Sequence, residues 1–250
     1  MRLKKFEQLL LIMGIVISIS FLFSCTKPSG KNIKGYYFPI DELQGDGKVY
    51  EYESTGEINL PTFYWHYKTI KENGTIFLLC DYYDNNFNIF QTFKEEIVSN
   101  GVLITDYKII ERDTSGNEYP AQATINSGAT FPFFVTDSTE AFVFNVFWKN
   151  PRDTTKTITL IKNRRYLRDG EYEYDGKKYE SVEFFVKNLV DDFQEGHIEE
   201  GFTEKEIYAK GLGLVYFEKT IEDFTMKYKL STVYDWKDFK EGMEIIKGEQ

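Results

Sequence analysis

Residues 63–83 read FYWHYKTIKENGTIFLLCDYY, two runs rich in aromatic and β-branched residues joined across Asn73-Gly74. Such side chains suit a pleated, half-buried surface. Asn-Gly accepts positive φ at both positions, which makes it a strong signal for a two-residue hairpin. The same punctuation repeats outward along the chain. Asp84-Asn85-Asn86 precedes a strand-like run from Phe87 to Val98, and Asn100-Gly101 precedes one from Val102 to Arg112. Ser115-Gly116-Asn117 closes that run. Turns this tight cannot join parallel strands, so the pattern predicts an antiparallel meander.

The meander extends in both directions. Upstream, Lys48 to Glu53 alternates apolar and polar residues. Downstream, Tyr119–Ile125, Phe131–Val135 and Ala141–Trp148 read as strands, and Asn150-Pro151-Arg152-Asp153 as a turn. Thr155 to Lys162 alternates threonine with apolar residues, which marks a strand with one wet face. Glu171–Tyr174 and Lys177–Val186 flank Asp175-Gly176, a pair compatible with a type I′ turn. Leu189 to Glu200 is acidic and reads as a loop or a short helix. Glu206–Ala209, Gly211–Phe217 and Thr225–Tyr234 follow as strands. Trp236, Phe239, Met243 and Ile246 then fall at helical spacing and predict a short amphipathic C-terminal helix. No exact repeat of twenty to fifty residues is present. The fold class is therefore all-β and mainly antiparallel, with residues 34–250 as the β domain. A division into two β halves near residues 165–170 is also open.

Composition narrows the function classes. The 250 residues carry a formal net charge of -10, with 18 Tyr, 22 Phe and 3 Trp. An acidic chain repels phosphate backbones, so nucleic acid is not an expected partner.

The N-terminus has its own character. Arg2, Lys4 and Lys5 precede an apolar run from Leu9 to Phe23. About twenty helical residues are needed to cross a bilayer, so this run fits a secretory leader better than a permanent span. It ends in Leu22-Phe23-Ser24-Cys25, which resembles the lipobox of bacterial lipoproteins. Removing residues 1–24 takes away a net charge of about +2 and leaves the rest near -12. The resemblance implies cleavage before Cys25, diacylglycerol on its thiol and acylation of the new amine. One acyl chain binds a membrane only marginally, and several hold firmly. Residues 25–33, with Lys27-Pro28-Ser29-Gly30-Lys31, read as a lipid-anchored flexible tether. Thr26 stands where an Asp would favour inner-membrane retention in enteric lipoproteins, and the tether lacks an acidic run. The first points to an outer membrane and the second to its periplasmic face, and the composition resembles that of Bacteroidetes-like lipoproteins.

Two further places carry a resemblance. Tyr37-Phe38-Pro39-Ile40 followed by Gly47-Lys48-Val49-Tyr50-Glu51-Tyr52 is similar to the opening strand of a group of bacterial envelope proteins. Tyr208-Ala209-Lys210-Gly211-Leu212-Gly213-Leu214-Val215 is similar to that group's closing hairpin. The group resembles the LolA/LolB-like half-barrel proteins. That resemblance implies a curved sheet, a half barrel or β-clam, whose concave face holds an apolar ligand. Read from chemistry alone, Gly211 and Gly213 permit positive φ or a bulge and are structural.

Several groups of residues bear on chemistry. With Cys25 lipidated, Cys80 is a lone thiol among apolar neighbours, and it reads as a small core residue. His66 sits in an aromatic strand and reads as packing. His197 stands among Glu195, Glu199 and Glu200, without the spacing of a zinc site. Asp81, Asp84, Asp191 and Asp192 are the acids from which a glycosidase pair would be built. Arg164, Arg165 and Arg168 form a basic spot whose simplest reading is pairing with acids on neighbouring strands. The runs Phe131-Pro132-Phe133-Phe134-Val135 and Phe142-Val143-Phe144 place aromatics on both faces of a strand. They imply burial on both sides or an apolar surface. No catalytic residue, metal ligand or cofactor is assigned. The first expectation is a non-catalytic, lipid-anchored envelope protein that binds a hydrophobic ligand or a protein partner. The alternatives are a hydrolase of envelope glycans and a structural subunit of an outer-membrane complex.

Overall fold

A computed structural model describes residues 30–248 apart from Glu57 and Ser138. The leader 1–24, Cys25 and residues 26–29 lie outside the described residues. In chain order the elements are β1 (Lys31–Asn32), two single-turn 3-10 segments (Lys34–Tyr36 and Ile40–Leu43), β2 (Lys48–Ser54), β3 (Phe63–Glu72), β4 (Thr75–Tyr83), β5 (Ile89–Val98) and β6 (Gly101–Arg112). Then come β7 (Glu118–Gln122), β8 (Thr124–Pro132), β9 (Phe134–Val135), β10 (Phe142–Lys149), β11 (Thr157–Tyr174) and β12 (Lys177–Phe193). β13 (His197–Ala209), β14 (Gly213–Ile221), β15 (Phe224–Asp235) and the helix α1 (Trp236–Gly248) complete the chain.

The turn residues set the hairpins as expected. Asn73 and Gly74 take φ of 49° and 87°, and Asp175 and Gly176 take 50° and 68°. Those values meet the type I′ requirement at both positions. Every strand pairing is antiparallel. The sheet runs β5-β4-β3-β2-β15-β14-β13-β12-β11-β10-β8-β6-β7, and β5 pairs in addition with β6. The curved antiparallel sheet therefore continues until it closes into a 12-stranded barrel, with β7 alongside β6. Closure removes the free edges that an open sheet would expose.

Leu189 to Glu200 differs from its reading as loop or helix. β12 and β13 run through it as a hairpin, with Val190 opposite Glu200 and Phe193 opposite His197. Backbone pairing carries these strands, so their acidic side chains do not prevent it. Residues 165–170 lie inside β11, where a bulge between Tyr166 and Arg168 bends the strand. Lys31–Gln250 forms one compact unit. Lys31 and Asn32 pair with Val135 and Phe134, and Ile33 is fully buried. These three residues thus belong to the folded unit, where β1 and β9 make a small two-stranded sheet of their own.

Residues 33–43 plug one end of the barrel. Ile33, Tyr36, Tyr37, Phe38 and Leu43 are buried and pack with Tyr50, Tyr67, Phe131 and Tyr208 in the main core. The Phe38 ring lies 4.0 Å from that of Tyr67 and 5.4 Å from that of Tyr50. The Gly211 amide donates to the Gly35 carbonyl at 2.9 Å. A Cβ on Gly213, whose φ is +89°, would come within 2.5 Å of Phe38 Cδ1. The two motifs that resemble envelope proteins are thus the two sides of one contact, and Gly213 is bare because Phe38 fills its space.

The outer wall is mixed. Lys68, Lys94, Arg165, Lys187, Lys205 and Lys229 alternate with inward residues such as Tyr67, Phe93, Arg164, Val186, Glu206 and Tyr228. A transmembrane barrel presents a continuous apolar band outward, and charges on this many strands interrupt such a band. Helix α1 lies against the outer face, where Phe239 packs with Val49 and Phe87 in a separate small core. Among the described residues, no helix is long and apolar enough to cross a membrane.

Candidate ligand cavity

Inward side chains leave a cavity of about 480 Å³ inside the barrel. Small-molecule sites fall in the range of roughly 300–1,000 Å³. Its floor is formed by Tyr37 and Phe38 of the plug with Tyr67, Phe131, Tyr208 and Leu214 of the strands, all of them buried. The lining residues Phe63, Phe90, Leu160, Val190, Phe202 and Lys219 are only half-buried. All six lie toward the opposite barrel end, near the β4–β5, β12–β13 and β14–β15 turns. Solvent access is therefore from that end.

The walls differ in chemistry. On one side Trp65 stacks on Tyr82 at 4.3 Å and on Phe217 at 5.3 Å, and Phe93 meets Tyr82 edge-on at 5.0 Å. Aromatic faces of this kind bury large apolar area with few rotatable bonds. The Trp65 indole N–H is buried and has no hydrogen-bond partner.

The other wall, on β11, β13 and β14, is charged. Arg164 grips Glu206 with two hydrogen bonds, Nε to Oε2 at 2.9 Å and a terminal nitrogen to Oε1 at 3.0 Å. The Tyr208 hydroxyl also donates to Glu206, at 3.2 Å. Burial acts to raise the Glu206 pKa, but Arg164, with Lys162 and the Tyr208 hydroxyl, outweighs it and holds the carboxyl below its usual range. Lys162 pairs with Glu204 at 3.2 Å. At the floor, Glu95 is 5% exposed and accepts a short hydrogen bond from the Tyr37 hydroxyl. Burial raises its pKa, against the opposing hydrogen bonds of Thr130 and Tyr37 and the charge of Arg164. Two carboxyls in one cavity with pKa values pushed apart is an arrangement that acid–base enzymes use. Here, however, both Glu206 oxygens are already occupied by Arg164 and Tyr208, so the pair ties the charged wall together.

The basic spot resolves into ion pairs. Arg164 reaches Glu206 inside the barrel, and Arg168 reaches Glu183 on the neighbouring strand at 2.9 Å. Cys80 is 1% exposed, and burial pushes its thiol pKa well up. His66 is 7% exposed; it stacks on Trp236 at 4.1 Å and hydrogen-bonds the Asp46 carbonyl at 2.7 Å. His197 is exposed and meets Asp191 at 2.9 Å. Among the described residues, no three His, Cys, Asp or Glu side chains gather as a metal site. Asp81 and Asp84 lie on β4 and its turn, while Asp191 and Asp192 lie on β12, opposite them around the ring. The barrel does not bring these four acids together. Phe131, Phe133 and Val135 are buried, Phe131 and Phe133 against Tyr37 of the plug, and Phe131 and Phe144 also line the cavity.

The cavity residues Lys162, Glu204, Glu206, Lys219 and Glu95 were not singled out from the sequence as a site. Their signal is charge on an apolar face. Lys162 and Arg164 share a face with Ile158 and Leu160, and Glu204 and Glu206 share one with Phe202 and Tyr208.

Compared with known proteins, the sequence matches no family, and no curated protein matches it. Solved structures do share the fold. A candidate lipoprotein from Parabacteroides distasonis has a TM-score of 0.52 at 8% identity, over 81% of this chain and 98% of its own. A candidate exported protein with a YmcC-like fold, from Bacteroides fragilis, has a TM-score of 0.51 at 9% identity, over 80% of this chain and 99% of its own. At these identities the likeness is one of fold.

Proposed function

We propose that this chain is a lipid-anchored envelope protein that binds an apolar small molecule in its barrel, without catalysing a reaction. The observation that carries the reading is the cavity of about 480 Å³, floored by the plug and faced on one side with stacked aromatics. Barrels of this size enclose ligand cavities, whereas the smallest fill with side chains. The basic leader ending in Leu22-Phe23-Ser24-Cys25 and the fold shared with a candidate lipoprotein and a candidate exported protein support an envelope location. Lipid on Cys25 would anchor the barrel, and the residues after it favour the periplasmic face of an outer membrane.

Native mass spectrometry of the protein purified from its own envelope tests the binding role. A co-purifying apolar molecule of defined mass is the expected result. A bare chain that also takes up no added acyl or aryl compound would count against it. For the anchor, Cys25→Ala should move the protein from the membrane fraction to the soluble one.

One observation favours a docking role as a second reading. Phe193, Ile198 and Phe224 are exposed at the tips of neighbouring hairpins, beside the cavity mouth, where a partner could meet them.

A further inference from the structure

The charged wall is not balanced. Arg164 and Glu206 close on each other. Glu204 is then left with two lysines, Lys162 at 3.2 Å and Lys219 directly opposite it in the β13–β14 register. Among the described residues, Lys219 has no carboxylate within salt-bridge distance. Its ammonium instead stands 4.0 Å above the Phe202 ring, at the mouth of the cavity. The one remaining lining carboxyl, Glu95, is at the floor and is pushed by burial toward its neutral form. Among the lining residues Lys219 is thus the one cation without an ion pair, its charge offset only at longer range by Glu204 and Glu200.

We infer that the ligand is a monoanionic amphiphile, an apolar monocarboxylate whose head lies against Lys219 and whose acyl or aryl tail fills the aromatic side of the cavity. This rests on the cavity-binding reading and adds the charge and polarity of the ligand. The head sits at the mouth, where part of its hydration survives. The tail runs inward past Trp65, Phe93 and Phe217, where burial of apolar area drives binding. One ammonium without an ion pair selects a monoanion over a dianion or a cation.

The test is a fluorescence titration of the purified chain with three twelve-carbon compounds: dodecanoate, dodecanol and dodecylamine. The wild-type chain should bind dodecanoate about tenfold more tightly than dodecanol, the order expected of one hydrogen-bonded charge, and dodecylamine most weakly. Lys219→Met should bring the acid-to-alcohol ratio close to one, and Lys219→Arg should restore it. Circular dichroism confirms that each variant is folded. A ratio unchanged in Lys219→Met, or an amine that binds as well as the acid, overturns the head-group assignment while leaving the cavity reading intact. If none of the three compounds binds the wild-type chain, the cavity reading falls and the head-group assignment with it.

Discussion

Replacing Arg164 by Met would leave Glu206 as a lone carboxylate in the barrel interior. The side chains of this pair are 12% and 8% exposed, so solvent offers little compensation. Removing one partner of a buried, hydrogen-bonded pair costs about 3–5 kcal/mol, because the remaining charge has lost its counter-ion. For a chain of this size each kcal/mol corresponds to about 2–4 °C in the unfolding midpoint, so Arg164→Met should lower it by about 6–20 °C. The double variant Arg164→Met, Glu206→Gln removes both charges and leaves Tyr208 an acceptor, so it should recover most of the loss. Urea unfolding at neutral pH of the wild type, the two single variants and the double variant gives the coupling energy. A single-variant loss under about 1 kcal/mol would refute the reasoning, and so would a double variant no more stable than Arg164→Met. Either result would mean that water in the cavity screens the pair as it would on a surface.

Two further outcomes follow from the plug. Gly213→Ala should be more destabilising than Gly211→Ala in thermal melts. Both residues have positive φ, but only at position 213 would the new Cβ meet the Phe38 ring; backbone strain alone is of order 1–3 kcal/mol. Equal losses would show that Phe38 moves aside freely. Glu95→Gln should stabilise the protein at neutral pH, with the gain shrinking as pH falls toward the carboxyl range. Burial raises the Glu95 pKa in the folded state, so the folded chain holds this proton more tightly than the unfolded one. Its contribution to stability is present at low pH and is lost as pH rises through the folded-state value. A gain that does not vary between pH 4 and pH 7 would contradict this assignment.

What the sequence reveals is local. Asn73-Gly74 and Asp175-Gly176 specify their hairpins because the required φ values belong to those residue types. The helical spacing of Trp236, Phe239 and Met243 likewise emerges as one face of α1 against the barrel. Closure is different in kind. The pairing of β15 with β2, Tyr234 opposite Val49, joins residues far apart in the chain, and no local pattern encodes it. The hairpin through residues 189–200 was hidden because its side chains at the tip face solvent and leave no apolar alternation. The cavity was hidden for a related reason. Period two shows that Lys162 and Arg164 share a face, but not that this face looks into a barrel, nor that Glu204 and Glu206 lie two strands away. Tyr37-Phe38 and Gly211–Gly213 could each be recognised as motifs. That one is packed against the other appears only once the chain is folded.

The most direct test of ligand binding in the barrel is a crystal structure of the protein grown with 12-bromododecanoic acid, with anomalous scattering used to find the bromine. A bromine peak inside the barrel among Trp65, Phe93 and Phe217, with the carboxylate toward Lys219, is the result predicted here. A well-occupied peak only on the outer wall, with the interior filled by ordered water or side chains, would contradict it.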